Sequence, residues 1–324
     1  MSTPLSEKKE LTGTAYAPAT IGNVGPGFDV LGATVSGLTD QITVTLITGT
    51  VSQVTVTGRN ATEIPRDPAK NIAVIAALKL LAIRGIQCAV RVDLHRSLPV
   101  SGGLGGSAAA AVGAAVAAAR ALAVESGSVV SEIEIMEAAL AGESAVSGRH
   151  LDNIAPCLYG GLCVVGSTNM MDVVRVDMPD VWWVALATPD VKLETKFARS
   201  VLSAESPRAV WVPQMAHTAG LVYGLHRGDR ELVRRSLIDR YAEPARAPLI
   251  PGFSEMRAAA LGHGALGVSI SGAGPTVFAL CDHKEAAESC AKAMQGCHAG
   301  VSVHVGKFGG LGALALGGGM GDDQ

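Results

Sequence analysis

The sequence predicts an α+β protein of two domains, and three observations predict it. At 324 residues the chain is long enough to build two hydrophobic cores. Its N-terminal half sets alternating and β-branched stretches around a glycine-rich loop that opens an alanine-rich helix. Its C-terminal half runs strand, helices, two strands, helix, strand, an order that suits an antiparallel sheet with helices on one face, the split βαβ plan. The expected division is 1–170 for the N-terminal domain with its glycine-rich loop, 171–312 for the C-terminal domain and 313–324 for a loose tail. Residues 1–12 are expected to be loose as well.

Residues 14–20, 41–47, 51–57 and 86–95 carry strand patterns, the last of them running on toward Pro99. A helix over 69–84 is introduced by Asp67-Pro68 and stopped by Gly85. Ser131 and Glu134 form a capping box for a helix reaching about Val146, before Gly148. Residues 162–166 and 173–176 read as a hairpin and 182–187 as a strand. Residues 212–240 are helical, followed by strands at 267–271 and 276–281, a helix at 284–294 and a strand at 301–307.

Composition removes several function classes. A net charge of −3 with no basic run argues against nucleic acid or a membrane surface as partner. The most apolar stretch, the alanine run after Ser107, is rich in small residues, broken by Gly113 and ended by Arg120, unlike a membrane span. The first residues lack the apolar core of a secretory signal. Six cysteines without C-x-x-C spacing read as scattered, reduced, buried thiols, and the expected location is the cytoplasm.

Four segments carry the chemistry. Between Pro99 and Ala118, Gly102, Gly103, Gly105 and Gly106 precede Ser107 and a helix-forming alanine run. Glycines let backbone N–H groups converge on an anion, and the helix start adds unpaired N–H groups and a positive dipole end. This is the pattern of a phosphate cradle, and a flexible linker before a packed helix is the alternative. Ser107-Ala108 excludes a Walker A loop, and Ala108 breaks the dinucleotide fingerprint, which counts against an oxidoreductase. The second segment, 17–29, folds Asn23 and Asp29 together around Gly25-Pro26-Gly27. The third, 142–153, holds Glu143 near a helix C-terminus, against the dipole, as expected where a cation binds. The fourth, 270–280, is a glycine turn between two strands.

Together these segments resemble the family of galactokinase, homoserine kinase, mevalonate kinase and phosphomevalonate kinase, from about Thr12 to Gly312. The opening APAT..NVGPGFDVLG, with SGRHLDNIAP and EPARAPLIPGF, is most similar to the homoserine kinases among them. The resemblance implies a two-domain small-molecule kinase fold, with a ribosomal S5-like N-terminal and a ferredoxin-like C-terminal domain. It further implies ATP-dependent phosphorylation of the L-homoserine hydroxyl to O-phospho-L-homoserine, a step toward threonine, with Mg²⁺ and a possible homodimer. The alternatives are another small-molecule kinase of the family, or a non-catalytic nucleotide or amino-acid sensor.

The same resemblance distributes the roles. Pro99, Val100, Ser101, Gly102, Gly103, Leu104, Gly105, Gly106, Ser107, Ala108 and Ala109 should wrap the triphosphate, with Asn71 a further nucleotide candidate or simply a helix first-turn residue. Ser107 and Glu143 should hold Mg²⁺, an octahedral ion that takes its other oxygens from water and phosphate. Arg246 first and Arg199 second should take the substrate carboxylate. Asn23 and Asp29 should hold its ammonium and hydroxyl, and His150, Asp152 and Thr195 should complete the pocket. Asn153 stands where mevalonate kinase-like members have an aspartate, so a dedicated base is missing there. Direct in-line attack, with Asp29 and Arg199 beside the reacting groups, fits a loose phosphoryl-transfer transition state. This loop also departs from the family: Gly106 replaces a serine, Ser101-Gly102 inverts the usual Gly-Ser, and Ile21-Gly22 replaces small polar or alanine residues.

Overall fold

The computed structural model describes residues 3–4, 10–126, 129–145, 148–167 and 172–316. A two-residue strand, β1 (Thr3–Pro4), leads to the long antiparallel pair β2 (Leu11–Gly22) and β3 (Leu31–Ile47), whose register shifts once between Pro18 and Ala19. β4 (Gln53–Gly58), α1 (Ile72–Ile83), β5 (Ile86–Gln87) and β6 (Ala89–Arg96) follow, β5 pairing with β1. Next come α2 (Gly106–Ser126), α3 (Glu132–Ser144), α4 (Ile154–Tyr159), β7 (Leu162–Ser167) and β8 (Asp172–Val176). The first sheet has the order β4-β6-β3-β7-β8, with β2 on β3.

β3 starts ten residues before the expected 41–47. Gly32, Gly37 and a run of polar residues hide the strand period there, yet Leu31–Ala33 pair with β7 and Gln41–Ile47 with β6. β8 pairs with β7 and completes the first sheet, so a domain boundary at 170 cuts a hairpin. We propose the junction between Val176 and Trp183.

The second sheet, β9 (Trp183–Thr188), β10 (Gly267–Ile270), β11 (Val277–Cys281) and β12 (Ser302–Lys307), is antiparallel in the order β10-β11-β9-β12, the ferredoxin-like arrangement. Five helices lie between β9 and β10: α5 (Thr195–Ser200), α6 (Arg208–Arg227), α7 (Arg230–Ser236), α8 (Glu243–Arg246) and α9 (Phe253–Gly262). α10 (Lys284–Gln295) joins β11 to β12. Alternation along β9 and β11 explains their continuous apolar sequence. Val184, Leu186, Phe278 and Leu280 face the large core, while Ala185, Ala187, Val277 and Ala279 face a second core under α9 and α10.

α2 is long and apolar enough to cross a membrane, but 78% of that stretch is buried inside the protein. It lies against β2 and β3 with α1 and α3 beside it. Its alanines let the layers approach closely: a Cβ on Gly13 of β2 would stand 2.2 Å from the Ala117 carbonyl oxygen. Both expected loose ends are corrected in part. Leu11 is buried in β2. Arg120 of α2 donates to the carbonyls of Ala313, Leu314 and Leu316 and so ties down the start of the tail. Residues 1–2, 5–9 and 317–324, and the expected helix end at Val146, lie outside the described residues. The cysteines are free, with Cys157, Cys163, Cys281 and Cys290 buried.

Because the Ala117 and Ala121 backbone cannot retreat without moving α2, Gly13→Ala should destabilise the chain by about 1–3 kcal/mol. Urea unfolding measures this, and wild-type stability in the variant would show that the helix can shift freely.

Candidate active site

The glycine loop is built by holding its carbonyls. Gly102 O accepts from Thr276 Oγ1 at 2.5 Å, Gly103 O from Ser271 Oγ at 2.6 Å and Leu104 O from Thr20 N at 3.2 Å. Gly105 O accepts from Ala109 N at 2.8 Å and Gly106 O from Arg96 Nη1 at 2.9 Å. In a planar trans peptide the next N–H points opposite to its carbonyl. Five consecutive anchored carbonyls therefore turn the N–H groups of Gly103 to Ser107 the other way. Gly103 and Gly105 adopt φ +75 and +66, and Ser101 is held at φ +51, a region that L side chains rarely occupy. Behind the loop, Arg96 and Asp40 form a buried ion pair at 3.0 Å, and Asp40 also accepts from the N–H groups of Ser97 and Leu98. Burial outweighs this pairing and leaves the Asp40 carboxyl above its ordinary range.

The loop borders a cleft of about 520 Å³ that also takes in Asn23, Ser107, Glu143, His150, Asp152, Asn153, Thr195, Arg199 and Arg246. Pro99, Val100, Ser101, Gly102, Gly103, Gly105 and Gly106 line it as expected. Leu104, Ala108 and Ala109 do not: they are buried in the core and shape the loop from behind. Asn71 touches the cleft, but its side chain caps α1, accepting from Ala73 N and Val74 N and donating to Pro65 O. Lys70, Lys196, Glu63, Gly272 and Ala273 were not anticipated on the wall. The glycine turn at 270–280 was the one available signal for the last two. A larger hollow of about 650 Å³, between Pro26–Leu31 and α6, is almost wholly apolar and lacks these groups, so the chemistry belongs to the smaller cleft.

Ser107 opens α2 and its Oγ donates to Glu143 Oε1 at 2.9 Å, joining two segments that the sequence separates by 36 residues. Among the described residues no three or more His, Cys, Asp or Glu gather to hold a metal by themselves. One hydroxyl and one carboxylate fit a hard cation that arrives with phosphate oxygens and water.

At the other end, Asp29 takes Arg199 in a bidentate pair, Nη2–Oδ1 at 2.5 Å and Nη1–Oδ2 at 3.1 Å, with His150 Nδ1 3.5 Å from Oδ1. Asp29 is not on the cleft wall, and its oxygens are engaged by Arg199, which counts against its serving as a base. Thr195 and Arg199 are the first and fifth residues of α5 and both reach the cleft. Arg246 is almost fully buried; its Nε donates to Ala198 O and its Nη1 to Gly272 O, both at 3.0 Å. Asn23 donates to the same Gly272 carbonyl at 2.9 Å and accepts from Asp29 N. Both guanidinium groups lie over the Phe28 ring, Arg199 at 5.3 Å and Arg246 at 5.4 Å from its centroid. Burial pushes His150 below its usual range and keeps it neutral near pH 7.

Burial first, then the Asp29 carboxylate, pushes the Asp152 carboxyl up to about 7. An unfolded aspartate titrates near ~3.9, so between these values the folded chain holds a proton that the unfolded chain has released. Stability is therefore lost as pH rises through that window and levels off above it. Asp152→Asn should match wild type near pH ~4 and be more stable on the order of 2–4 kcal/mol at pH ~8. Urea titrations without nucleotide or Mg²⁺ check this; equal stability at the higher pH would sink it.

Comparison with known proteins follows the same division. The GHMP kinases N terminal domain matches residues 71–161 and the GHMP kinases C terminal model matches 221–299. Homoserine kinase of Xanthomonas campestris is 37% identical over 290 residues, 89% of this chain and 88% of its own length. That of Pyrococcus abyssi is 40% identical over 266 residues, 82% and 86% of the two chains. The crystal structure of homoserine kinase from Cytophaga hutchinsonii superposes with a TM-score of 0.87 at 34% identity, covering 96% of this chain and 98% of that one. Mevalonate kinase from L. major shares the fold, with a TM-score of 0.64 at 15% identity over 95% of this chain and 99% of its own.

Proposed function

The chain belongs to the homoserine kinase family of the GHMP kinases, and from that premise we propose that its cleft transfers the γ-phosphoryl group of ATP to the hydroxyl of L-homoserine. The observation that carries the reading is the meeting, in one cleft, of an amide-lined glycine loop with Arg199, which Asp29 pairs from behind the wall, and the buried Arg246. The loop suits a triphosphate, and the charged pair suits the head of an amino acid.

The hydroxyl oxygen attacks the γ-phosphorus in line. A new O–P bond forms as the bond to the β,γ-bridging oxygen breaks, ADP leaves, and the hydroxyl proton passes to the transferred phosphate or to solvent. Asn153 is an amide and takes no proton, and Asp29 is engaged by Arg199 before substrate binds and by the substrate ammonium afterwards. The barrier is lowered by alignment and by N–H groups around the phosphates, which is sufficient for a loose transition state. Ser107 and Glu143 would hold the Mg²⁺ that accompanies the nucleotide, and when bound that ion neutralises phosphate charge. Free cysteines, four of them buried, fit a reducing cytoplasmic setting.

The ammonium and carboxylate of homoserine carry the same two charges as the Asp29–Arg199 pair. The substrate replaces that pair charge for charge, with the Arg246 plane, fixed by two backbone carbonyls, completing the carboxylate site. A ligand with only one of the charges leaves a half-buried partner without compensation.

A coupled ADP-release assay with Mg-ATP should give turnover with L-homoserine and none with mevalonate, galactose or shikimate. Glu143→Ala and Arg246→Ala should each lower kcat/KM by roughly 100-fold or more. The half-charged analogues 4-hydroxybutyrate and 3-aminopropan-1-ol should also fall by about 100-fold or more in kcat/KM. Turnover with another acceptor would keep the kinase and reject the substrate. Tight ATP binding without any turnover would favour a sensor.

A further inference from the structure

Thr20 brings a hydroxyl into a stretch of β2, from Ala17 to Gly22, that is otherwise apolar and fully packed. A buried hydroxyl is destabilising unless it is bonded, so where its bond goes carries information. Thr20 Oγ1 donates to Asn153 Oδ1 at 2.8 Å, while Thr20 N donates to Leu104 O at 3.2 Å. One residue therefore touches both the phosphate loop and the amide on the acceptor side. Gly105 packs so tightly on this junction that a Cβ there would stand 1.9 Å from Thr20 Oγ1 and 3.0 Å from Asn153 Oδ1.

Asn153 occupies the N-cap position of α4, yet its side chain makes no capping bond. Helix chemistry thus does not orient the amide, and Thr20 does. With its oxygen tied to Thr20, the amide carries its nitrogen on the side of Gly22, where a Cβ would lie 2.6 Å from Nδ2 and from Asp152 Oδ2. Asn153 and Asp152 both line the cleft.

We propose that Thr20 is a positioning residue for phosphoryl transfer. It fixes the Asn153 amide with its NH₂ group presented to the reacting oxygens and links that orientation to the phosphate loop through Leu104. The inference rests on the homoserine kinase reading. An NH₂ group donates to the incoming hydroxyl oxygen or to the phosphoryl oxygens. A rotated amide would set a carbonyl oxygen against phosphate oxygens and lose that contribution without emptying either binding site.

Steady-state kinetics of Thr20→Val, Thr20→Ser, Asn153→Ala and the Thr20→Val/Asn153→Ala double variant test this. Thr20→Val keeps the branched shape and removes the hydroxyl. It should lower kcat on the order of 10- to 100-fold while KM for ATP and for L-homoserine stays within about threefold. Thr20→Ser should recover kcat to within about threefold of wild type. The double variant should be no slower than Asn153→Ala alone, because Thr20 acts through Asn153. Wild-type kcat in Thr20→Val, or the same loss from Thr20→Val in both backgrounds, overturns the inference and leaves the reaction standing. Absence of homoserine-dependent turnover in the wild type overturns the reaction and the inference with it. If Thr20→Val does not purify folded, Thr20→Ala carries the same comparisons.

Discussion

Everything in the cleft depends on the anchoring of five consecutive carbonyls, Gly102 to Gly106. A loop of glycines by itself samples many conformations, and its freedom opposes order. Here each peptide plane is set by a bond on its carbonyl side, and the N–H groups are aligned before any anion arrives. Preorganised dipoles need no reorganisation at the moment of reaction, which is where such groups act most strongly. The donors come from four places: β2 through Thr20, the end of β6 through Arg96, the first turn of α2, and the 271–276 turn of the C-terminal domain.

That last contribution makes the loop an interdomain object. Ser271 and Thr276 hold Gly103 and Gly102, while the Gly272 carbonyl collects Asn23 from the N-terminal domain and Arg246 from the C-terminal one. The Gly272 N–H returns a bond to Gly22 O. The glycine loop and the Asn23–Arg246 end of the cleft are thus registered against each other through one short turn. The arrangement sets unfavourable local choices into the same space: Glu143 at the wrong end of a helix dipole, Ser101 in left-handed backbone, and Asp152 buried beside other carboxylates. Such costs gather where ligand charge relieves them.

The elements and the loop were legible in the sequence because their signals are local. Ser131 and Glu134 do form the capping box, and the Gly25-Pro26-Gly27 turn does bring Asn23 to Asp29. Glu143 was legible because it breaks a local rule. What stayed hidden depends on contacts across the fold. The first half of β3 takes its strand character from partners on both sides rather than from a period of its own. The engagement of Asp29 by Arg199 joins residues 170 positions apart, and the carbonyl anchors from Ser271 and Thr276 span 168 and 174. Asn71 could be read either way from sequence, and its two N-cap bonds settle what its side chain does.

The glycines at 106, 102 and 22 have a common steric cause. A Cβ at Gly106 would stand 2.4 Å from Arg96 Nη2. Long side chains ordinarily swing away, but this guanidinium is buried and held by Asp40 and by the Gly106 carbonyl itself. Gly106 and Arg96 are therefore one solution: with no side chain at 106, the guanidinium keeps its hold on the Gly106 carbonyl. Gly102 is crowded in the same way, since a Cβ there would meet the Pro99 ring at 2.4 Å, and Ser101 beside it takes left-handed backbone. At Gly22 a Cβ would press on Asn153 and Asp152, two side chains that line the cleft. At Gly106 and Gly22 glycine stands where another residue would push on a group already held by a bond, Arg96 in the first case and Asn153 in the second. These glycines preserve the geometry of the loop, which is the physical reason to read this chain as a working kinase.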